Sequence, residues 1–300
     1  MQSLKVSARD FFLRRRDHAA ARFSFRYLLT AQVSVEKTIA QAYFAFQNQN
    51  EQTNLFPDFI GIGAQKSATS WLDSVLRKHP DFTLPHGRKE LHYFDSETRK
   101  GMQWYLWHFR NAGPDSIKGE ITPAYSMLSL ATIREIKAIN PNLKIILLLR
   151  NPIERAWSMA VMDIIQRCDE PLTANDWNRV HAHLKSSASR ARGNYSKILK
   201  RWWAEFGDDS VFVGFYEEIE KCPAQFIERL ILFLGGRAGC FDYAGELLES
   251  KVRVGGKKIP KEIAVILAQL YHRELKELYH ILPSPYVGGW IDSADRLLKN

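Results

Sequence analysis

Residues 59–72 read FIGIGAQKSATSWL, so Lys66 and the small or hydroxylated residues Ser67, Ala68, Thr69 and Ser70 follow a short apolar run. This pattern predicts a buried strand that turns through small residues into a helix. A helix N-terminus reached in that way gathers several backbone N–H groups and the positive end of the helix dipole at one point, which suits a phosphate-like anion. Lys66 adds a mobile cation and the hydroxyls add donors. The second chemically promising stretch is LLLRNPIERAWSMAVMD, residues 147–163. There Arg150 leaves a continuously apolar run, Pro152 opens a helix, and Ser158 lies two turns in. Arginine grips phosphate through paired hydrogen bonds, and a neighbouring hydroxyl can complete the grip. Arg155, on the same helix, is expected to make a structural pairing.

Two familiar anion sites fit this pattern poorly. A Walker-type loop places Gly before its Lys, whereas Gln65 precedes Lys66 here. Magnesium-nucleotide chemistry also wants an acidic residue closing a second apolar strand, yet KIILLLR closes in Arg150. A dinucleotide site is poorer still, because GIGAQK lacks the third glycine and the acidic residue about 20 positions on. The pattern favours a ligand whose second phosphate is clamped directly by protein. A magnesium-dependent kinase or NTPase is the rival reading, and a non-catalytic anion- or membrane-binding protein is another.

These residues require elements to position them. Apolar runs predict strands at Phe59–Gly63, Phe82–Leu84, Lys118–Ile121, Lys144–Leu149 and Val211–Phe215. Helical periods cover Thr69–Lys78, Trp104–Phe109, Leu130–Ile139, Ile153–Ile165, Asn194–Phe206, Pro223–Leu234 and Lys261–Tyr279. The alternation predicts an α/β protein with three layers, a mostly parallel central sheet flanked by helices. Residues 55–300 would form this domain, and 1–54 a helical extension and linker ending in the polar QNQNEQTN.

Hydrophobic residues make up 45% of the 300 and charged residues 25%, an ordinary globular balance. The formal net charge is +9, which favours anionic ligands, but much of the excess lies in residues 1–40, so no nucleic-acid partner is expected. Phe11, Phe12, Phe23, Phe25 and Phe44 are interleaved with arginines there. That segment is expected to pack on the domain as helix, with peripheral membrane or partner contact as the sharper alternative. The three cysteines, Cys168, Cys222 and Cys240, show no C-x-x-C spacing, so neither a disulfide framework nor a zinc site is expected. The longest aliphatic run, Ile145 to Leu149, is far short of the ~20 residues of a spanning helix. Together these features predict a soluble cytoplasmic protein.

Both anion motifs, taken in order, resemble those of the PAPS-dependent sulfotransferases, especially the heparan-sulfate and related bacterial branch. GAQKSATSWL is similar to the family's 5′-phosphosulfate loop and RNPIERAWS to its 3′-phosphate motif. KELHYFD (89–95), GEITPAY (119–125), FVGFYEEI (212–219), FLGG (233–236) and GGKKIP (255–260) extend the resemblance over roughly residues 56–290. It implies a P-loop-NTPase-like sulfotransferase fold and metal-free, in-line transfer of a sulfuryl group from PAPS to a hydroxyl on a sugar, glycolipid or small alcohol. Lys66, Ser67, Ala68, Thr69 and Ser70 would hold the 5′-phosphosulfate, and Arg150 and Ser158 the 3′-phosphate. Lys257 and Lys258 would close over that phosphate from a C-terminal loop, and Trp71 would either stack on adenine or be a buried helix residue. Glu90 would be the general base, its basicity helped by burial beside Tyr93 and Phe94, and His92 would orient the acceptor or share the proton. Ile121 departs from the family's glycosaminoglycan enzymes, which often carry Lys at that position.

Overall fold

The computed structural model describes residues 41, 43–44, 55–169, 171–239 and 258–299. Its centre is explained by one alternation. In β4 (Lys144–Leu149), Ile145, Leu147 and Leu149 face one apolar cluster, whereas Ile146 and Leu148 face another. A strand whose two faces are both apolar must lie between two packed layers. β1 (Phe59–Gly63) obeys the same rule, with Ile60 and Ile62 on the first face and Phe59 on the second. With β2 (Phe82–Thr83), β3 (Ile117–Ile121) and β5 (Val211–Phe215) these strands form one parallel sheet in the order β2-β3-β1-β4-β5. β2 and β3 therefore lie on one side of β1, β4 and β5 on the other, and the connections leave a crevice at the strands' C-terminal ends.

Eleven helices of six or more residues, among the described residues, cover the sheet. α1 (Thr69–Lys78) and α9 (Pro223–Leu234) bury Trp71, Leu72, Phe226 and Ile227 in the second cluster. The first cluster is larger. It takes in α2 (Gly101–Trp107), α3 (Leu130–Ile139), α4 (Pro152–Asp163), α5 (Ala174–Lys185), α7 (Tyr195–Phe206), α10 (Lys261–Ile281) and α11 (Pro285–Lys299). Two short helices, α6 (Ser187–Gly193) and α8 (Tyr216–Lys221), complete the set. The expected three-layer α/β fold is thus present.

Three strands have the expected bounds; β2 stops at Thr83 and β3 starts at Ile117. α2 begins earlier than expected because a short 3₁₀ turn at Thr98–Lys100 runs directly into it. α5, α6, α8 and α11 were not anticipated by apolar periodicity. The extension is described only at its end, where Gln41, Tyr43 and Phe44 are helical and Tyr43 packs in the first cluster with its ring 5.4 Å from Phe56. The other phenylalanines of the extension, Cys240 and Lys257 lie outside the described residues. Cys168 and Cys222 are free thiols. No helix among the described residues is long and apolar enough to cross a membrane.

Candidate active site

Every element that ends at the crevice contributes something to it. After β1, Lys66 and Ala68 both adopt positive φ, near 69° and 65°. These left-handed turns curl the loop so that successive N–H groups can converge, forming a concave anion nest at the start of α1. That start is otherwise undressed: no side chain caps it, and no acidic residue stands in its first turn. Ser67 is fully buried, and its Oγ meets no hydrogen-bond partner among the described residues. A buried hydroxyl without a partner beside free helix N–H groups fits a bound oxyanion well. Lys66 Nζ stands 3.5 Å from Met162 Sδ on α4. Trp71 faces the other way, buried in the second cluster against Phe226, with ring centroids 6.1 Å apart.

After β4, Arg150 comes back onto the same loop, its Nη1 donating to the Lys66 carbonyl at 3.3 Å. Its other contacts hold it in place. It donates to Glu154 Oε2 from Nη2 at 3.1 Å, and its guanidinium lies 4.3 Å from the Tyr216 ring centroid. Its carbonyl accepts from the Tyr195 hydroxyl at 2.8 Å. Asn151 caps α4 through its side chain, with Pro152 in the first turn, so the helix starts immediately after Arg150 and carries Ser158, half-buried, two turns on. The structure therefore brings the two anion motifs, separated by some 84 positions, to one loop. Arg155 takes the structural role expected of it. It is fully buried and donates to the Ser189 carbonyl and the Tyr271 hydroxyl, so it braces α4 against α6 and α10 through neutral acceptors, and no carboxylate among the described residues pairs with it.

After β2, the chain carries Glu90 into a string of polar contacts. Lys89 Nζ donates to Ser70 Oγ at 2.8 Å and to Glu90 Oε1 at 3.0 Å. Glu90 Oε2 lies 3.2 Å from His92 Nε2, and His92 Nδ1 lies 3.0 Å from Asp95 Oδ2. The burial expected of Glu90 is incomplete: about 30% of its side chain is exposed. A cation and an imidazole flank it, and Tyr93 and Phe94 turn away into the first cluster. This arrangement can accept a proton at a solvent-reachable oxygen while holding the carboxylate still. Lys89 and Asp95 were not singled out from sequence, although both stand in KELHYFD; adjacency to Glu90 and the three-residue spacing from His92 were the available signals.

After β3, Thr122 and Tyr125 stand behind this string, hydrogen-bonded to the buried Glu120. Ile121, between Glu120 and Thr122, is buried in the second cluster against Gly61. Lys258 is exposed just before α10, and no hydrogen bond or ion pair between described residues ties it to Arg150 or Ser158. Arrangement and charge together make a site that can hold a doubly phosphorylated anion with a base alongside.

Comparison with known proteins agrees with this geometry. The family model described as "Sulfotransferase domain" matches residues 56–253. The membrane-associated sulfotransferase kil1 of Dictyostelium discoideum is 40% identical over 105 residues, covering 34% of this chain and 22% of that protein. Heparan sulfate glucosamine 3-O-sulfotransferase 3B1 of Mus musculus is 32% identical over 188 residues, covering 60% of this chain and 46% of that protein. The chain thus spans less than half the length of these two curated relatives. A solved sulfotransferase from Alicyclobacillus acidocaldarius shares the fold, with a TM-score of 0.61 at 23% identity over 78% of this chain and 98% of that one. With the domain matched from the first strand to beyond the last, and both anion motifs inside it, the chain belongs to the sulfotransferase family.

Proposed function

We propose that this chain transfers a sulfuryl group from PAPS to a hydroxyl of an acceptor, with Glu90 as general base. The observation that carries this reading is the bridge from Ser70 through Lys89 to Glu90, which supports a base acting beside the anion loop. PAPS supplies the sulfuryl group and departs as adenosine 3′,5′-bisphosphate. The N-terminus of α1, with Ser67, Thr69 and Ser70, holds the 5′ side, and Lys66 neutralises charge on the departing oxygen. Arg150 and Ser158 hold the 3′-phosphate, joined by Lys257 or Lys258. Trp71 supports the loop from the core. Glu90 takes the acceptor's proton, and His92, backed by Asp95, holds that carboxylate in line. No residue of the site needs a metal for this work. Relatives named for heparan sulfate glucosamine favour a sugar hydroxyl as acceptor. The cytoplasmic location expected from sequence belongs to this reading, with the membrane association in kil1's name as its rival; liposome co-sedimentation with and without residues 1–50 decides between them.

Thermal shift and turnover test the core of the proposal. Adenosine 3′,5′-bisphosphate should protect against unfolding far more than AMP at equal concentration, and Arg150→Ala should erase the difference. Glu90→Gln should lower turnover about 10²- to 10⁴-fold while keeping that protection. Equal protection by both nucleotides overturns the 3′-phosphate grip, and an active Glu90→Gln protein overturns the base.

A further inference from the structure

Glu120 is fully buried, and the reaction as proposed does not use it. Three hydroxyls donate to it: Tyr105 at 2.7 Å, Thr122 at 2.7 Å and Tyr125 at 3.0 Å. Two of them point their oxygens onward to the segment that bears the base. Thr122 Oγ1 accepts from the Leu91 amide at 3.1 Å, and Tyr125 Oη accepts from the Tyr93 amide at 2.8 Å. The residue between these two amides is His92, which holds a left-handed conformation with φ near 56°. A histidine there is strained and persists only when its surroundings over-determine it. A short π-helical turn, Tyr93–Glu97, follows at once, another conformation that needs external support. Stacking of Tyr93 on Tyr105, with centroids 4.6 Å apart, closes the same corner.

Resting on the proposed transfer reaction, we infer that Glu120 is a positioning residue. It orients the hydroxyls of Thr122 and Tyr125 so that they pin the amides on either side of His92, and this aims Glu90 and His92 at the anion loop. A charge buried so completely is costly unless its hydrogen bonds are complete. Burial pushes the Glu120 carboxyl up, and the bonds from Tyr105, Thr122 and Tyr125 pull it back. A carboxylate suits the task because, when ionised, it only accepts. Each hydroxyl must therefore give its proton to Glu120, and its lone pairs are left for the backbone N–H groups. A glutamine there would offer its own donors and turn at least one hydroxyl round.

Amide hydrogen exchange and steady-state kinetics on the full chain, for Thr122→Val, Tyr125→Phe and Tyr105→Phe, test this. Thr122→Val and Tyr125→Phe remove the two oxygens that reach the backbone. They should speed exchange at Leu91 and Tyr93 about tenfold or more and lower kcat about 10- to 100-fold, with KM for PAPS held within about twofold. Tyr105→Phe removes a hydroxyl that touches Glu120 and neither amide, so its effect on those two amides should stay below about threefold. Unchanged exchange at Leu91 and Tyr93 in both of the first two variants overturns the inference. So does a Tyr105→Phe protein that matches them at equal thermal stability. Glu120→Gln, where it folds, keeps its oxygen on Tyr105 and Tyr125 and turns its NH2 to Thr122, so it should reproduce the exchange pattern of Thr122→Val. Exchange is read without turnover, so a wild-type chain silent with every acceptor counts against sulfuryl transfer and leaves the positioning result standing.

Discussion

Arg150 is committed before any phosphate arrives. Glu154, one helical turn on, accepts from its guanidinium at 3.1 and 3.3 Å, and Tyr216 lies against its face. Under the proposed function, a 3′-phosphate at Arg150 must share it with that carboxylate and tolerate its charge. Half of the Glu154 side chain is exposed, so screening keeps the competition small, of the order expected for a surface ion pair. Glu154→Gln should therefore bind adenosine 3′,5′-bisphosphate about two- to fivefold more tightly in calorimetry, with AMP unaffected. Weaker binding would mean that Glu154 aims the guanidinium instead of competing for it. The placement of Lys66, Arg150 and Ser158 is legible in the sequence because their neighbours within a few positions announce a strand end and a helix start. Glu120, Tyr105, Thr122 and Tyr125 are not, since their meaning lies in hydroxyls from separate segments converging on one carboxylate.

At the scale of elements, close approach of strands and helices sets what the sheet can accept. Gly119 on β3 pairs with Phe59 on β1, and a Cβ added at Gly119 would lie 2.1 to 2.4 Å from the Phe59 ring. That ring is fully buried in the second cluster, edge-on to Phe82 with centroids 5.9 Å apart. Gly119→Ala should accordingly lose about 1–3 kcal/mol, with more if the strands separate, read as a lower urea midpoint at unchanged slope. A midpoint equal to wild type would show that Phe59 can repack. Strands β1, β4 and β5 are legible because burial on both faces makes them continuous apolar runs. α5 is harder to see: it buries only Val180 and Leu184, and its surest sign is the capping box formed by Thr173 and Asp176. α11 contains Gly288 and Gly289, which weaken any helical reading, and it folds as a helix through the packing of Val287, Trp290 and Ala294.

Across the whole molecule, distant segments tie the sheet's two ends together. The family match ends at residue 253, yet α10 buries Leu267, Tyr271 and Leu275 in the first cluster. Trp290 of α11 donates to Glu217 at 2.6 Å just beyond β5. At the opposite edge, Arg237, after α9, clasps Asp81, just before β2, across 156 positions through its guanidinium and its backbone N–H. Those bonds hold the Asp81 carboxyl at a pKa of about 2, below the ordinary 3.8. A carboxylate depressed on folding stabilises the native state above its unfolded pKa, and the contribution fades as pH falls towards the folded value. The clasp should therefore act at full strength above about pH 5 and weaken between pH 4 and 2. Asp81→Asn should melt lower than wild type by a constant margin from pH 7 to 5, and the two melting temperatures should converge as the solution approaches pH 2. A margin that stayed constant down to pH 2 would show that the difference comes from packing at this edge and not from the ion pair, which would leave the β2 edge held by Phe82 and the 79–82 turn alone.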